Sequence, residues 1–273
     1  MAINNFVDRF FITHFLGLNS LAPYIAGFTL AGIVTFFHHT ISFMLFPELS
    51  KKWAKKNKMS IINLMKKIIT GYLALTIPYL VFIGVAGVDV LLVLTTNDYF
   101  ISPLTLFLIS FNIAIFGLWQ FAHYIVLLER GSSSAPKMMV IVTGTNILFN
   151  TLLVPKYGLL GAASAGFLSN TLLALITFTM SYKILKWDFP FRESIKILLR
   201  SLIMGAVIWY GIVWFGNDII SLVVTLIIAG SIYAVLDFFG DKNSSFISLT
   251  KLGIFFKKSK NQNFCKLKFF NKN

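Results

Sequence analysis

Residues 68–94 read IITGYLALTIPYLVFIGVAGVDVLLVL, an apolar run that carries one charge, Asp89. About 20 apolar residues suffice to cross the hydrocarbon core of a bilayer, so this stretch is long enough to span it. It must do so as a helix, because lipid offers the backbone no hydrogen-bond partners and the run does not resemble a short alternating barrel strand. Working outward, comparable runs occupy 1–16, 21–46, 104–128, 138–154, 159–180, 197–215 and 219–239. The whole chain is 57% hydrophobic and only 12% charged, far from the balance of a soluble domain. The sequence therefore predicts an all-α fold, a polytopic integral membrane helical bundle of about eight transmembrane helices. Pro47, Pro103, Pro136, Pro155 and Pro190 fall at the expected helix edges, whereas Pro23 and Pro78 fall inside runs, where kinks are expected.

Orientation follows from the positive charges. Lys51, Lys52, Lys55, Lys56, Lys58, Lys66 and Lys67 lie between the second and third runs; two gaps on come Arg130 and Lys137, then Lys183, Lys186, Arg192, Lys196 and Arg200. The tail adds Lys242, Lys251, Lys257, Lys258, Lys260, Lys266, Lys268 and Lys272, while the intervening gaps hold only Lys156 with Asp98 and Asp218. Even numbers of crossings separate the basic gaps, so all face one side. The expectation is a multi-pass protein of the cell (inner or plasma) membrane with both termini cytoplasmic. The net charge of +14 does not indicate nucleic-acid binding, since the crossings divide it among short loops and no nucleic-acid module can be placed. Membrane lipids are the simpler partner, above all for the tail 241–273, where phenylalanines interleave with lysines as an interfacial helix or a solvated segment. The single cysteine, Cys265, permits no intrachain disulfide and nothing flanks it that would mark a catalytic thiol.

The first run is anomalous. Sixteen helical residues reach about 24 Å, short of the roughly 30 Å core, and this run includes Asn4, Asn5, Asp8, Arg9, Thr13 and His14. It reads as the second half of a longer helix and lacks the basic region and cleavage site of a signal peptide.

Asp8-Arg9-Phe10-Phe11-Ile12, then Phe15-Leu16-Gly17, then a helix ending Leu45-Phe46-Pro47-Glu48-Leu49-Ser50-Lys51-Lys52-Trp53, resembles the seventh and eighth helices of polysaccharide flippases. Those proteins belong to the multidrug/oligosaccharidyl-lipid/polysaccharide (MOP) exporter superfamily. Asn146-Ile147-Leu148-Phe149-Asn150, leading through Val154-Pro155-Lys156-Tyr157-Gly158 to Gly161-Ala162-Ala163, is similar to the hairpin joining their eleventh and twelfth helices. The resemblance implies that 1–185 is the second six-helix lobe with its first helix truncated, a polysaccharide biosynthesis protein C-terminal domain. It implies that 186–240 is an added helix pair and 241–273 a basic aromatic tail. It also implies flipping of a lipid-linked oligosaccharide or polysaccharide precursor. Alternating access rocks one lobe against another, so a first lobe is expected, either on a separate chain or on a longer protein of which this sequence is a fragment.

Ionisable and amide groups inside the membrane are the translocation candidates. Arg9 could hold the anionic phosphate or pyrophosphate of a lipid-linked saccharide, with Asp8 as its counter-ion or as a proton or cation site; structural bridging is the alternative. Adjacent on a helix, the two side chains diverge by about 100°. His38 and His123, like His14 and His39, lie in membrane runs and suit either a proton relay or interhelical hydrogen bonding. Asn146 and Asn150 share a helix face and either bind sugar hydroxyls or bridge helices. The small residues Gly158, Gly161, Ala162, Ala163, Ala165 and Gly166 suit close helix packing. Gly131-Ser132-Ser133-Ser134-Ala135-Pro136 lacks the lysine of a phosphate loop and reads as a loop leading into a helix. No metal site, cofactor motif or catalytic constellation is present in the pattern, so the expected role is transport and not catalysis. The competing readings are a cation-coupled small-molecule exporter of the same superfamily, disfavoured by the lack of deep acidic residues beyond Asp8; a membrane enzyme, for which no extramembrane segment before the tail is large enough; and a non-functional remnant of a flippase.

Overall fold

A computed structural model describes residues 2–216 and 218–240, with side chains from Phe6 to Phe239 apart from Asn217; the tail 241–273, with Cys265, lies outside the described residues. Every regular element is helical: α1 (Ala2–Leu16), α2 (Leu18–Ala31), α3 (Ile33–Ala54), α4 (Lys58–Leu94), a 3-10 turn (Asn97–Tyr99), α5 (Pro103–Arg130), α6 (Ser134–Leu185), α7 (Phe191–Phe215) and α8 (Ile219–Gly240). Five of these are long and apolar enough to cross a membrane, or six when α2 and α3 are taken as one bent span. The chain is a polytopic all-helical membrane protein.

Local chemistry sets several of the helix ends. Asn57 caps α4 by accepting from the Ser60 amide at 3.0 Å. Ser102 caps α5 through the Thr105 amide, with Pro103 at the first helical position, where a missing N–H costs nothing. Two of the expected edges differ: Pro47 lies inside α3, which continues to Ala54, and Pro155 lies inside α6, whereas Pro23 lies inside α2 as expected. The break in the expected 21–46 span comes instead at Gly32, where α2 and α3 meet at 42°. Glycine is a weak helix former, and the Leu30 carbonyl beside the break is taken by the Tyr79 hydroxyl of α4 at 2.5 Å. A local break thus becomes a contact between helices.

α6 is two antiparallel arms, 134–157 and 159–185. Gly158 makes the turn at φ 58, ψ −133, a backbone state open to glycine and strained for other residues. The arms then lie so close that a Cβ on Gly161 would collide with the Leu153 carbonyl. Further from the turn, Met138 and Val142 of one arm pack with Leu173 and Ala174 of the other, around Phe116 and Trp119 of α5. This is the hairpin expected at 138–154 and 159–180, with Pro155 inside its first arm and Gly158 as the pivot.

α4 packs against α3, α5 and α7. Pro78 removes the N–H that would bond the Ala74 carbonyl four residues back, and the Tyr233 hydroxyl of α8 donates to that carbonyl at 2.8 Å. Tyr72 donates to the Ala114 carbonyl of α5 at 3.0 Å, passing over Gly117, where a Cβ would collide with its hydroxyl. α7 packs on α4 through Gly205, whose added Cβ would stand 2.6 Å from Val81 Cγ1, and on α8 through Gly211 against Thr225. Arg200 of α7 and Asp237 of α8 pair at 2.8 Å. At one end of the bundle Lys66 and Glu193 approach to 3.6 Å, which brings the basic segment leading into α4 beside the start of α7. At the other end, Leu16 at the close of α1 faces Gly158 at the α6 turn.

Candidate functional site

α1 presents Asp8 and Ile12, one turn apart, to the bundle, and both are buried. The first arm of α6 presents Met138, Val142, Asn146, Asn150 and Val154 at spacings of four, so its polar positions extend an apolar stripe that must face inward. The second arm brings Gly166 and Asn170, α5 brings Asn112, and α2 brings Tyr24, all buried.

These groups converge on one carboxylate. Asp8 is 3% exposed, and its Oδ1 accepts from Asn150 Nδ2 at 2.9 Å and from Asn146 Nδ2 at 3.1 Å. The Tyr24 hydroxyl lies beside the same carboxylate. Beside it, Asn170 Nδ2 donates to Asn112 Oδ1 at 2.6 Å. Gly166 separates the two sets: a Cβ there would stand 2.8 Å from Asn112 Nδ2 and 3.6 Å from Asp8 Oδ2. Only a residue without a side chain lets α5, α1 and the second arm of α6 meet at that point.

The amide orientations follow from the carboxylate, which when ionised only accepts, so Asn146 and Asn150 turn their NH2 groups toward it. Their carbonyl oxygens, and that of Asn170, are buried without a hydrogen-bond partner among the described residues. One carboxylate with several uncommitted oxygens can hold a hard cation or a proton and has none of the nitrogen or sulfur donors that softer metals prefer. No group of three His, Cys, Asp or Glu residues suited to a metal ion occurs among the described residues.

Of the residues anticipated from sequence, Asp8, Asn146 and Asn150 come together, and the two asparagines bridge α6 to α1. Arg9, about 100° around α1 from Asp8, is exposed, as are Phe6 and Phe10. His38 is buried in α3 beside Phe116, and His123 in α5 stacks on Trp119 at 5.0 Å; neither enters the hydrogen bonds around Asp8. Tyr24, Asn112 and Asn170 were not anticipated. Their signal was present for the asparagines, each an isolated short amide in an otherwise apolar run.

Comparison with known proteins agrees with this architecture. The family described as "Lipid II flippase MurJ" matches residues 1–233. The chain belongs to the MurJ family. MurJ proteins are flippases, transporters and not enzymes, and they fall within the MOP superfamily whose pattern the sequence resembles. An uncharacterized membrane protein of Methanocaldococcus jannaschii is 24% identical over 245 residues, 88% of this chain and 47% of that protein. The MurJ-family chain thus spans about half the length of this curated relative. No solved structure matches it.

Proposed function

We propose that this chain is the C-terminal lobe of a flippase that moves a lipid-linked saccharide precursor across the plasma membrane, with the Asp8 cluster as its proton or cation site. In this reading 1–185 form the lobe and 186–240 an added pair of helices, and the basic gaps and both termini face the cytoplasm, as the positive-inside pattern favours. The observation that carries the proposal is the burial of one carboxylate of α1 among five polar side chains from three further helices of a MurJ-family protein. An ionisable group inside the membrane is costly, and that cost is understandable where the group binds and releases a coupling ion.

The outer face of α1 supports a second component of the site. Arg9 stands there exposed, and apolar Phe6, Phe10, Phe36 and Phe43 are exposed on α1 and α3. Arg9 is the candidate ligand for the precursor's phosphate or pyrophosphate, through paired N–H donors. The missing counterpart is a first lobe, covalently attached or on another chain, against which this one rocks.

The test reconstitutes the full chain with its first lobe in proteoliposomes that contain a lipid-linked saccharide with a fluorescent headgroup, and follows exposure of the headgroup to a membrane-impermeant quencher. Exposure should require the ion gradient, should be lost in Asp8→Asn and should fall in Arg9→Ala. Exposure that is independent of both substitutions would overturn the proposal.

A further inference from the structure

A second set of buried polar atoms lies between α3, α4 and α5, apart from the Asp8 cluster. His38 is fully buried, and neither ring nitrogen closes a hydrogen bond among the described residues; the Val34 carbonyl one turn back lies within electrostatic reach but outside hydrogen-bond geometry. Ser42, one turn along the same face of α3, is buried with its hydroxyl unbonded, as is Thr76 of α4. Gly117 brings His38 and Thr76 to one place, with Ser42 one turn from His38 on α3. A Cβ there would lie 3.0 Å from His38 Cβ and would collide with the hydroxyl of Tyr72, and Thr76 Oγ1 lies beside that same hydroxyl without closing a bond to it.

The hydroxyls of Ser42 and Thr76 had a local alternative. Elsewhere in the bundle Thr40, Ser110, Thr177 and Ser201 each bond the carbonyl one turn back, at 2.7 to 3.0 Å. Ser42 and Thr76 form no such bond, although their helices continue through the same geometry.

We propose that this seam binds internal water, hydrogen-bonded to His38, Ser42 and Thr76. The chemistry selects the ligand. A neutral imidazole presents one N–H donor and one bare nitrogen acceptor, and the two hydroxyls can act either way. A cation satisfies only the acceptors, an anion only the donors, and an apolar group neither. Water supplies both, and buried waters in proteins characteristically join such otherwise unsatisfied groups. Water also exchanges its partners readily, so α3 can shift against α4 and α5 without stranding the His38 ring.

Hydroxyl-radical footprinting by X-ray radiolysis, read by mass spectrometry, tests this on the full chain in lipid nanodiscs, because radicals form at bound water and label the side chains beside it. His38, Tyr72 and Phe116 should be labelled despite their burial, at rates approaching that of exposed Phe43, while Ile83 and Ile109 stay protected. In His38→Leu the labelling of Phe116 should be lost. Protection of His38, Tyr72 and Phe116 equal to that of Ile83 and Ile109 would overturn the proposal, as would Phe116 labelling that His38→Leu leaves unchanged.

Discussion

Substituting Asp8 in two ways separates its acceptor geometry from its charge. Asp8→Leu removes the acceptor for Asn146 and Asn150 and leaves two donors behind. Hydrogen bonds between membrane helices average about 0.6 kcal/mol, which sets a floor of about 1 kcal/mol for the two; orphaned buried donors at about 1–3 kcal/mol each give a larger figure. Relief of the desolvated carboxylate offsets part of that cost, so the expected loss is about 1–4 kcal/mol. Asp8→Asn keeps an oxygen where Oδ1 now accepts at 2.9 and 3.1 Å. It weakens two charge-assisted bonds to neutral ones but also removes a buried charge, so stability should change by no more than about 1 kcal/mol. Thermal unfolding of the purified chain in one detergent, followed by tryptophan fluorescence, should rank wild type close to Asp8→Asn and well above Asp8→Leu. Equal losses in the two variants would show that the charge itself holds these helices together. An Asp8→Leu variant as stable as wild type would mean that the amides are not anchored by Asp8 at all.

Tyr233→Phe should cost about 1 kcal/mol in the native chain, because the Ala74 carbonyl freed by Pro78 loses its donor; in a Pro78→Ala background the restored amide takes that carbonyl and the cost should shrink, which a double-mutant cycle in thermal stability will read. Gly161→Ala should prevent formation of the α6 hairpin by collision with the Leu153 carbonyl. Gly144→Ala, which meets open space, should leave stability unchanged or raise it by up to about 1 kcal/mol, and size-exclusion yields of folded protein distinguish the two.

The number and order of helices were legible because hydrophobicity is a bulk property of a segment. A run such as 68–94 announces its length whatever its neighbours do. Which face of that run turns inward is written far more faintly, since lipid and protein interior are equally apolar. The seven-residue spacing of Tyr72 and Tyr79 therefore said nothing of the carbonyls they reach in α5 and α2. The break at Gly32 was hidden for the same reason, with apolar residues on both sides, while Pro23 offered a more conspicuous but incorrect place for it. In the site, Asp8, Asn146 and Asn150 stood out as polar positions in lipid. Their union depended on the α6 reversal, and the roles of Tyr24 and Gly166 depended on which helices lie side by side. Neither follows from local sequence.

Three tyrosine-to-carbonyl bonds meet at α4: Tyr79 reaches the bend between α2 and α3, Tyr72 reaches α5, and Tyr233 arrives from α8. α4 is in effect a common shaft. A change in its tilt would reach both the bent α2–α3 helix and α8 through these bonds, none of which passes through the Asp8 cluster. The α7–α8 pair is therefore coupled through α4 to the helices on its other side, so that lipid pressing on that pair would be transmitted to the bent helix.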